Sequence, residues 1–122
     1  MKPIIKKLGS GSVLIILALP SCPAPVWAHA RLDHATPAAG STVPSPPTEI
    51  TLYFTEELEP KFSCAEVRSA AGARVDHGAN ISGKVMHLSV GTLAPGNYTV
   101  TWHVTSLDTH KTQGSFSFTV GK

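Results

Sequence analysis

The chain has 122 residues, with ten Lys and Arg residues against eight Asp and Glu residues and a formal net charge of +2. This length fits one domain with a modest hydrophobic core. So weak a charge argues against a nucleic-acid-binding protein, which would need a strongly basic surface.

Residues 1–28 have the three parts of a secretory signal peptide. Residues 1–7 carry three lysines, residues 13–19 form an unbroken apolar run, and the segment ends on the small residue Ala28. The apolar run is far shorter than the ~20 residues of a membrane span, which disfavours an anchor. We therefore predict cleavage after Ala28 and an exported domain of residues 29–122.

Cleavage at this point changes both the charge and the cysteine count. Loss of the three lysines lowers the net charge from +2 to −1, and Cys64 remains as the only cysteine, so an internal disulfide is excluded. We predict that Cys64 is a small buried thiol, with a metal ligand or a reactive thiol as alternatives. A competing interpretation of the leader makes Cys22 a lipidated cysteine, although Pro20 fits such a motif poorly.

Alternation of apolar and polar residues predicts β-strands along the exported domain, and no segment has a convincing helical period. Residues 37–47 are rich in proline and are expected to form an irregular connection. Residues 56–60 are expected to form an acidic turn, and Gly78 and Asn80 to interrupt the chain again. The predicted strands are residues 29–37, 48–55, 62–67, 74–75, 85–90, 98–105 and 116–120.

Six to seven short strands with regular turns predict an all-β fold, either a β-sandwich or a small Greek-key barrel. Tyr98 follows a turn, as the tyrosine of a tyrosine corner does in sandwiches. The aromatic residues expected in the core are Phe54, Phe62, Trp102, Phe116 and Phe118.

Asp108 and His110 lie between the last two long predicted strands, at the rim of a sheet, where ligands are often bound. If the segment is extended, both side chains point to one side with Cα atoms roughly 7 Å apart. After cleavage, His29 would add its α-amine and its imidazole Nδ1. Three nitrogens and one oxygen suit Cu(II) in tetragonal geometry, while Zn(II) would accept the same atoms tetrahedrally.

The sequence resembles the CopC family of periplasmic copper-binding proteins over essentially all of residues 29–122. The resemblance implies an Ig-like Greek-key β-sandwich of about seven strands and a Cu(II) site at His29, Asp108 and His110. The acidic residue that the family has near this site falls on Glu56, either as a weak fourth ligand or as a neighbour of a ligand. The matching segments are His29-Ala30 and residues 52–56, 93–102, 106–110 and 114–118.

The sequence departs from family members that also have a methionine-rich Cu(I) site. The exported domain has only Met86, which alternates with Leu88 and is expected in the core, so the chain resembles the Cu(II)-only members. The other histidines and several carboxylates are expected to face solvent. These are Asp33, His34, Glu57, Glu59, His77, His87 and His103.

The resemblance implies a monomeric periplasmic Cu(II) carrier or buffer in copper resistance or copper import, not an enzyme. It also implies a CopD-type inner-membrane protein as a partner. One alternative is a histidine-brace copper oxygenase of the lytic polysaccharide monooxygenase kind, which needs open coordination positions that Asp108 would fill. Another is an Ig-like structural module without a metal, in which an N-terminal His29 would be coincidental.

Overall fold

A computed structural model describes residues 29–122, and the predicted leader, including Cys22, lies outside the described residues. Residues 29–122 form eight strands and a 3-10 turn at Pro60–Phe62, and none of them forms an α-helix or a helix able to cross a membrane. The strands are β1 Leu32–Thr36, β2 Thr42–Val43, β3 Glu49–Phe54, β4 Cys64–Ser69, β5 Asp76–Ser82, β6 Val85–Val90, β7 Gly96–Thr105 and β8 Lys111–Val120.

The strands form two four-stranded sheets with the orders β1-β3-β6-β5 and β2-β8-β7-β4. Neighbouring strands are antiparallel except β2, which pairs in parallel with the end of β8. This confirms the predicted all-β, Ig-like sandwich, with eight strands instead of about seven. Two of the eight were not predicted: β2, a two-residue edge strand inside the proline-rich segment that was expected to be irregular, and β5, in the segment that Gly78 and Asn80 were expected to interrupt.

The core lies between the sheets and follows the period of two along each strand. Ile50, Leu52 and Phe54 are buried on β3, and Phe54 meets Trp102 of the opposite sheet edge to face at 5.2 Å between ring centroids. Gly114 makes room for this indole, because a Cβ there would lie 2.6 Å from Trp102 Cζ2. Met86 is fully buried, as expected for a core residue.

Tyr98 has the role that its position after a turn predicts. Its hydroxyl donates a hydrogen bond of 2.6 Å to the carbonyl oxygen of Ala94, and its ring stacks on Phe118. The turn is thereby fixed to the start of β7, which is the arrangement of a tyrosine corner.

Two residues expected inside the core lie at the surface. Phe62 belongs to the 3-10 turn before β4 and is 67% exposed. Cys64 is the first residue of β4 and is also exposed, because Ala65 and Val67 take the inward positions of that strand. The predictions of a buried Phe62 and a buried Cys64 thiol were therefore wrong, because Phe62 precedes the strand and the alternation within β4 turns Ala65 and Val67, not Cys64, towards the core.

The segment from Asp76 to Ser82 is a strand, although its glycine and asparagine were expected to interrupt the chain there. Gly78 and Asn80 lie inside β5, and Gly78 occupies a bulge with φ 106°. The strand survives because β5 is at the edge of its sheet, where a bulge disturbs one ladder only. The predicted short strand at residues 74–75 is reduced to a single bridge between Arg74 and Arg68.

Asp76 joins the two sheets through a fully buried carboxylate. One oxygen accepts hydrogen bonds from the Val67 amide of β4 at 2.8 Å and from Arg74 Nε at 2.9 Å. The other accepts from Arg74 Nη2 at 3.1 Å and from the Gly78 amide at 3.0 Å. Burial alone would raise the pKa of Asp76, but these hydrogen bonds and the Arg74 charge lower it below its ordinary value.

We expect Asp76→Ala to lower the free energy of unfolding by about 2–3 kcal/mol, because it leaves the buried Val67 amide without an acceptor. The folded carboxyl has a lowered pKa, so its contribution is complete above the ordinary value of 3.8 and is lost as the pH falls through the lower folded value. Urea denaturation at pH 7 and in stepwise more acidic buffers measures both effects. Asp33→Ala, at an exposed carboxylate, is the control; equal losses from both variants would contradict the prediction.

Candidate metal centre

The first described residues are held against one end of the sandwich by hydrogen bonds to both sheets. The Arg31 amide donates to Thr55 Oγ1 at 2.9 Å, and the Thr55 amide donates to the Arg31 carbonyl at 2.9 Å. On the other side, Thr112 Oγ1 donates to the Ala30 carbonyl at 2.6 Å. Ala30 is fully buried between these contacts. His29 is therefore placed next to the start of β8, although 82 positions separate Ala30 from Thr112.

The segment between β7 and β8 is a tight turn, not the extended strand assumed in the sequence analysis. The Ser106 amide donates to the His110 carbonyl at 2.9 Å, and the Thr109 amide donates to the Ser106 carbonyl at 2.8 Å. Thr109 has φ 71°, a left-handed conformation that is strained for a β-branched residue. The turn brings Asp108 and His110 into direct contact, with 3.2 Å between Asp108 Oδ2 and His110 Nδ1.

His29, Asp108 and His110 come together at this end of the sandwich. The imidazole rings of His29 and His110 meet edge to face with 4.4 Å between their centroids. Asp108 approaches His110 from its own turn, and both side chains are partly exposed. The sequence prediction named these three residues, and the structure places them beside one another.

The separation of Asp108 and His110 fits two ligands of a single ion. Donors bound at about 2.0–2.1 Å lie about 2.8–3.3 Å apart for angles between a right angle and a tetrahedral angle. The Asp108–His110 separation of 3.2 Å falls in this interval. The donors do not yet converge, since no three His, Cys, Asp or Glu side chains within residues 29–122 are arranged to hold a metal. The exposed His29 side chain would have to rotate for the three residues to bind one ion.

Asp108 is held as a carboxylate by its neighbours. The Ser106 hydroxyl donates to Asp108 Oδ1, and this bond is the main cause that lowers the pKa of Asp108; partial desolvation opposes it. His110 lowers the pKa further through its side chain and through its amide, which is 3.4 Å from Oδ1. An ionised carboxylate beside two imidazoles is a suitable donor set for a divalent transition metal.

Glu56 lies on the Asp108 side of this cluster. It lines a surface cavity of about 370 Å³ together with Lys84, Ser106, Leu107 and Asp108. The neighbouring Glu57 accepts a hydrogen bond from the Leu107 amide through its carbonyl oxygen, which keeps the two loops together. Glu56 thus shares a cavity with Asp108, and its part in metal binding stays a prediction.

The remaining histidines lie away from the cluster. His34 contacts Asp33 at 2.6 Å and stacks on Tyr53, with both members of the ion pair well exposed. His103 is exposed on the outer face of β7 opposite Cys64. His77 and His87 belong to the outer face of the other sheet. The surface positions expected for these side chains are confirmed.

Sequence reasoning missed the residues that position the cluster. Ser106 fixes both the turn and the Asp108 carboxylate, and Thr55 and Thr112 hold the His29 segment. A serine two residues before an aspartate is a local signal for such a turn. The two threonines gave no signal, because Thr55 follows β3, Thr112 lies near the start of β8, and the partners of both are far away in sequence.

The comparison with known proteins agrees with this architecture. The CopC domain matches residues 32–121. The chain belongs to the CopC family. The CopC family is one of copper resistance proteins, which implies copper binding.

Two curated relatives and one solved structure describe the family context. Protein YobA of Escherichia coli K12 is 38% identical over 100 residues, covering 78% of this chain and 81% of the relative. Copper resistance protein C of Pseudomonas syringae pv. tomato is 36% identical over 103 residues, covering 76% and 81%. The crystal structure of CopC from Methylosinus trichosporium OB3b superposes with a TM-score of 0.72 at 31% identity, covering 76% of this chain and 94% of that one.

We expect Thr112→Val to reduce the metal affinity of the His29 cluster about tenfold, because loss of a group that orients a ligand typically weakens binding 10–100-fold. The substitution keeps the shape of the side chain and removes only the hydrogen bond to Ala30. A chelator-competition titration of metal affinity, with urea denaturation of the same samples, measures the effect. Thr119→Val, whose hydroxyl bonds Asn97, is the matched control; an equal effect from it would contradict the prediction.

Proposed function

We propose that this CopC-family protein binds one Cu(II) ion through His29, Asp108 and His110 and acts as a monomeric periplasmic copper carrier or buffer. The observation that supports it is the meeting of these residues at one end of the sandwich, from segments far apart in sequence. Glu56 is the candidate weak fourth ligand or neighbour of Asp108. Export by cleavage after Ala28 gives His29 the free α-amine that the proposal needs.

Copper(II) is the favoured ion because of the donor chemistry. An amine, two imidazoles and a carboxylate match the tetragonal nitrogen and oxygen geometry of Cu(II), which also tops the affinity series of divalent metals. A Cu(I) site built from thioethers finds no support, since Met86 is fully buried in the core. The proposal is therefore a Cu(II) function without a methionine-rich second site.

Binding and transfer are favoured over catalysis by the position of Asp108. A copper oxygenase of the histidine-brace kind needs open coordination positions for oxygen, and the Asp108 carboxylate lies 3.2 Å from the His110 ring, where it would take one of them. Partly exposed ligands suit a protein that both acquires and releases its ion. A CopD-type inner-membrane protein is the proposed recipient or donor of copper, in copper import or copper resistance.

We expect His110→Ala and Asp108→Asn each to weaken Cu(II) binding by more than about 100-fold, since losing a ligand should exceed the loss from an outer contact. Both residues are on an outer turn, so the thermal unfolding midpoint of the metal-free protein should change little. Chelator-competition titration gives the affinity, and circular dichroism gives the midpoint.

His103→Ala is the matched control, because His103 is an exposed histidine on the outer face of β7. It should leave both the affinity and the midpoint unchanged. If His103→Ala weakens Cu(II) binding as much as His110→Ala does, the assignment of the ligands is wrong.

A single extra residue before His29 tests the role of the α-amine. A Gly-extended form of the exported protein should fold normally but bind Cu(II) orders of magnitude more weakly, because an amide nitrogen is a poor donor unless it loses its proton. Binding by the protein that begins at His29 should also weaken on acidification, because protons compete for its nitrogens. Equal affinities of the two forms in a competition titration at matched pH would remove the amine from the site.

A further inference from the structure

The outer face of the β1-β3-β6-β5 sheet has a second group of metal-ligating side chains. Glu49, His77 and His87 line a surface cavity of about 460 Å³ around Ser89. None of them touches the His29 cluster. Thr55, which contacts the His29 segment, is six residues along the chain from Glu49. Six residues of extended strand span roughly 20 Å, so the two groups of side chains are well separated.

The strand register places these three side chains around one point. Glu49 of β3 pairs directly with Ser89 of β6. On the other side of β6, the bulge between Asp76 and Ala79 sets His77 and Gly78 together opposite Ser89. His87 lies two residues before Ser89 and so shares its outer face. Three neighbouring strands thus present a carboxylate and two imidazoles to the space above Ser89.

Two of these donors already have the separation that one ion requires. His87 Nδ1 is 3.3 Å from Glu49 Oε1, and the side chains are 40% and 53% exposed. Two ligands at about 2.0–2.1 Å from a metal and at a tetrahedral angle are about 3.3 Å apart. A cation between them replaces a hydrogen bond without moving either residue far.

His77 is the donor that must move. Its Nε2 lies above Gly91, 3.5 Å from where a Cβ on that glycine would be. Gly91 is two residues beyond Ser89, so the His77 ring has to turn about its Cα–Cβ bond towards Ser89 before it can join the other two donors. His77 is exposed, which leaves its side chain room to turn. In the described arrangement, residues 29–122 contain no complete three-donor set, so the three residues can bind one ion only after His77 has moved.

We propose that Glu49, His77 and His87 form a second, weaker binding site for a divalent transition metal such as Zn(II) or Cu(II). Two imidazoles and one glutamate are a ligand set that zinc accepts, with water in the fourth position, and Cu(II) binds the same donors more tightly. The site lies on a flat, partly exposed face and lacks an α-amine, so it fills after the His29 site. The site itself rests on its own three residues, and only the order of filling rests on the proposed function.

The test is equilibrium dialysis of the exported protein against Cu(II) above one equivalent, followed by nuclear magnetic resonance of the same samples. The wild-type protein should bind two ions, and the second should broaden the amide signals of His87 and Ser89. His87→Ala and Glu49→Gln should each weaken the second equivalent at least tenfold and leave the first unchanged. Asn80→Ala, on the same face opposite His87, is the matched control and should retain both ions.

His77→Ala tests the rotation separately, and it too should weaken only the second equivalent. Broadening by the second ion around His34 or His103 instead of Ser89 would overturn the proposal, as would a second equivalent insensitive to His87→Ala. His110→Ala distinguishes the two proposals. This substitution should abolish the tight equivalent, while Cu(II) should still broaden the amide signals of His87 and Ser89. If tight binding persists, the His29 site is wrong; if the broadening is absent, the second site is wrong.

Discussion

Hydrogen bonds between Thr55 or Thr112 and the segment at residues 29–31 are the contacts on which the arrangement of the candidate metal centre depends. Thr55 follows β3 of one sheet and Thr112 belongs to β8 of the other, so the start of the domain bridges both sheets. Ala30 is buried between these contacts, and the His29 carbonyl also accepts a hydrogen bond from Thr55 Oγ1 at 3.4 Å. The position of His29 beside His110 therefore depends on contacts with both sheets.

The turn at residues 106–110 complements this clamp from within one segment. Ser106 orients Asp108 and lowers the pKa of its carboxyl, while the left-handed conformation of Thr109 lets His110 return towards Asp108. Backbone strain of this kind persists only when surrounding contacts determine the conformation. Here those contacts include the bridge between Leu58 and Ser106 and the hydrogen bond from the Glu59 amide to the Thr105 carbonyl.

The fold was largely predictable because half-buried strands impose a period of two on the sequence. Residues 48–55 and 98–105 showed it clearly, and Tyr98 marked the turn between elements. The incorrect predictions concern edge strands, where the period of two is less regular. Cys64 was assigned to the wrong face because the alternation in residues 62–67 is imperfect, and Gly78 was taken for a turn because a bulge in an edge strand tolerates glycine. Both residues lie on edge strands, which pair with one neighbour only, so a single set of hydrogen bonds determines which of their residues face inward.

The sequence by itself determined the chemistry available at the candidate site: a histidine after a leader-like segment, and Asp108 with His110 between two strands. It could not determine that Ala30 and Thr112 meet, because hydrogen bonds across 82 positions depend on closure of both sheets. The same holds for Glu49, His77 and His87, which no sequence spacing relates. They line one cavity only because three strands pair in one register and a bulge sets the His77 backbone opposite Ser89. Residue types are local properties, whereas the meeting of donors is a property of the packed sheets.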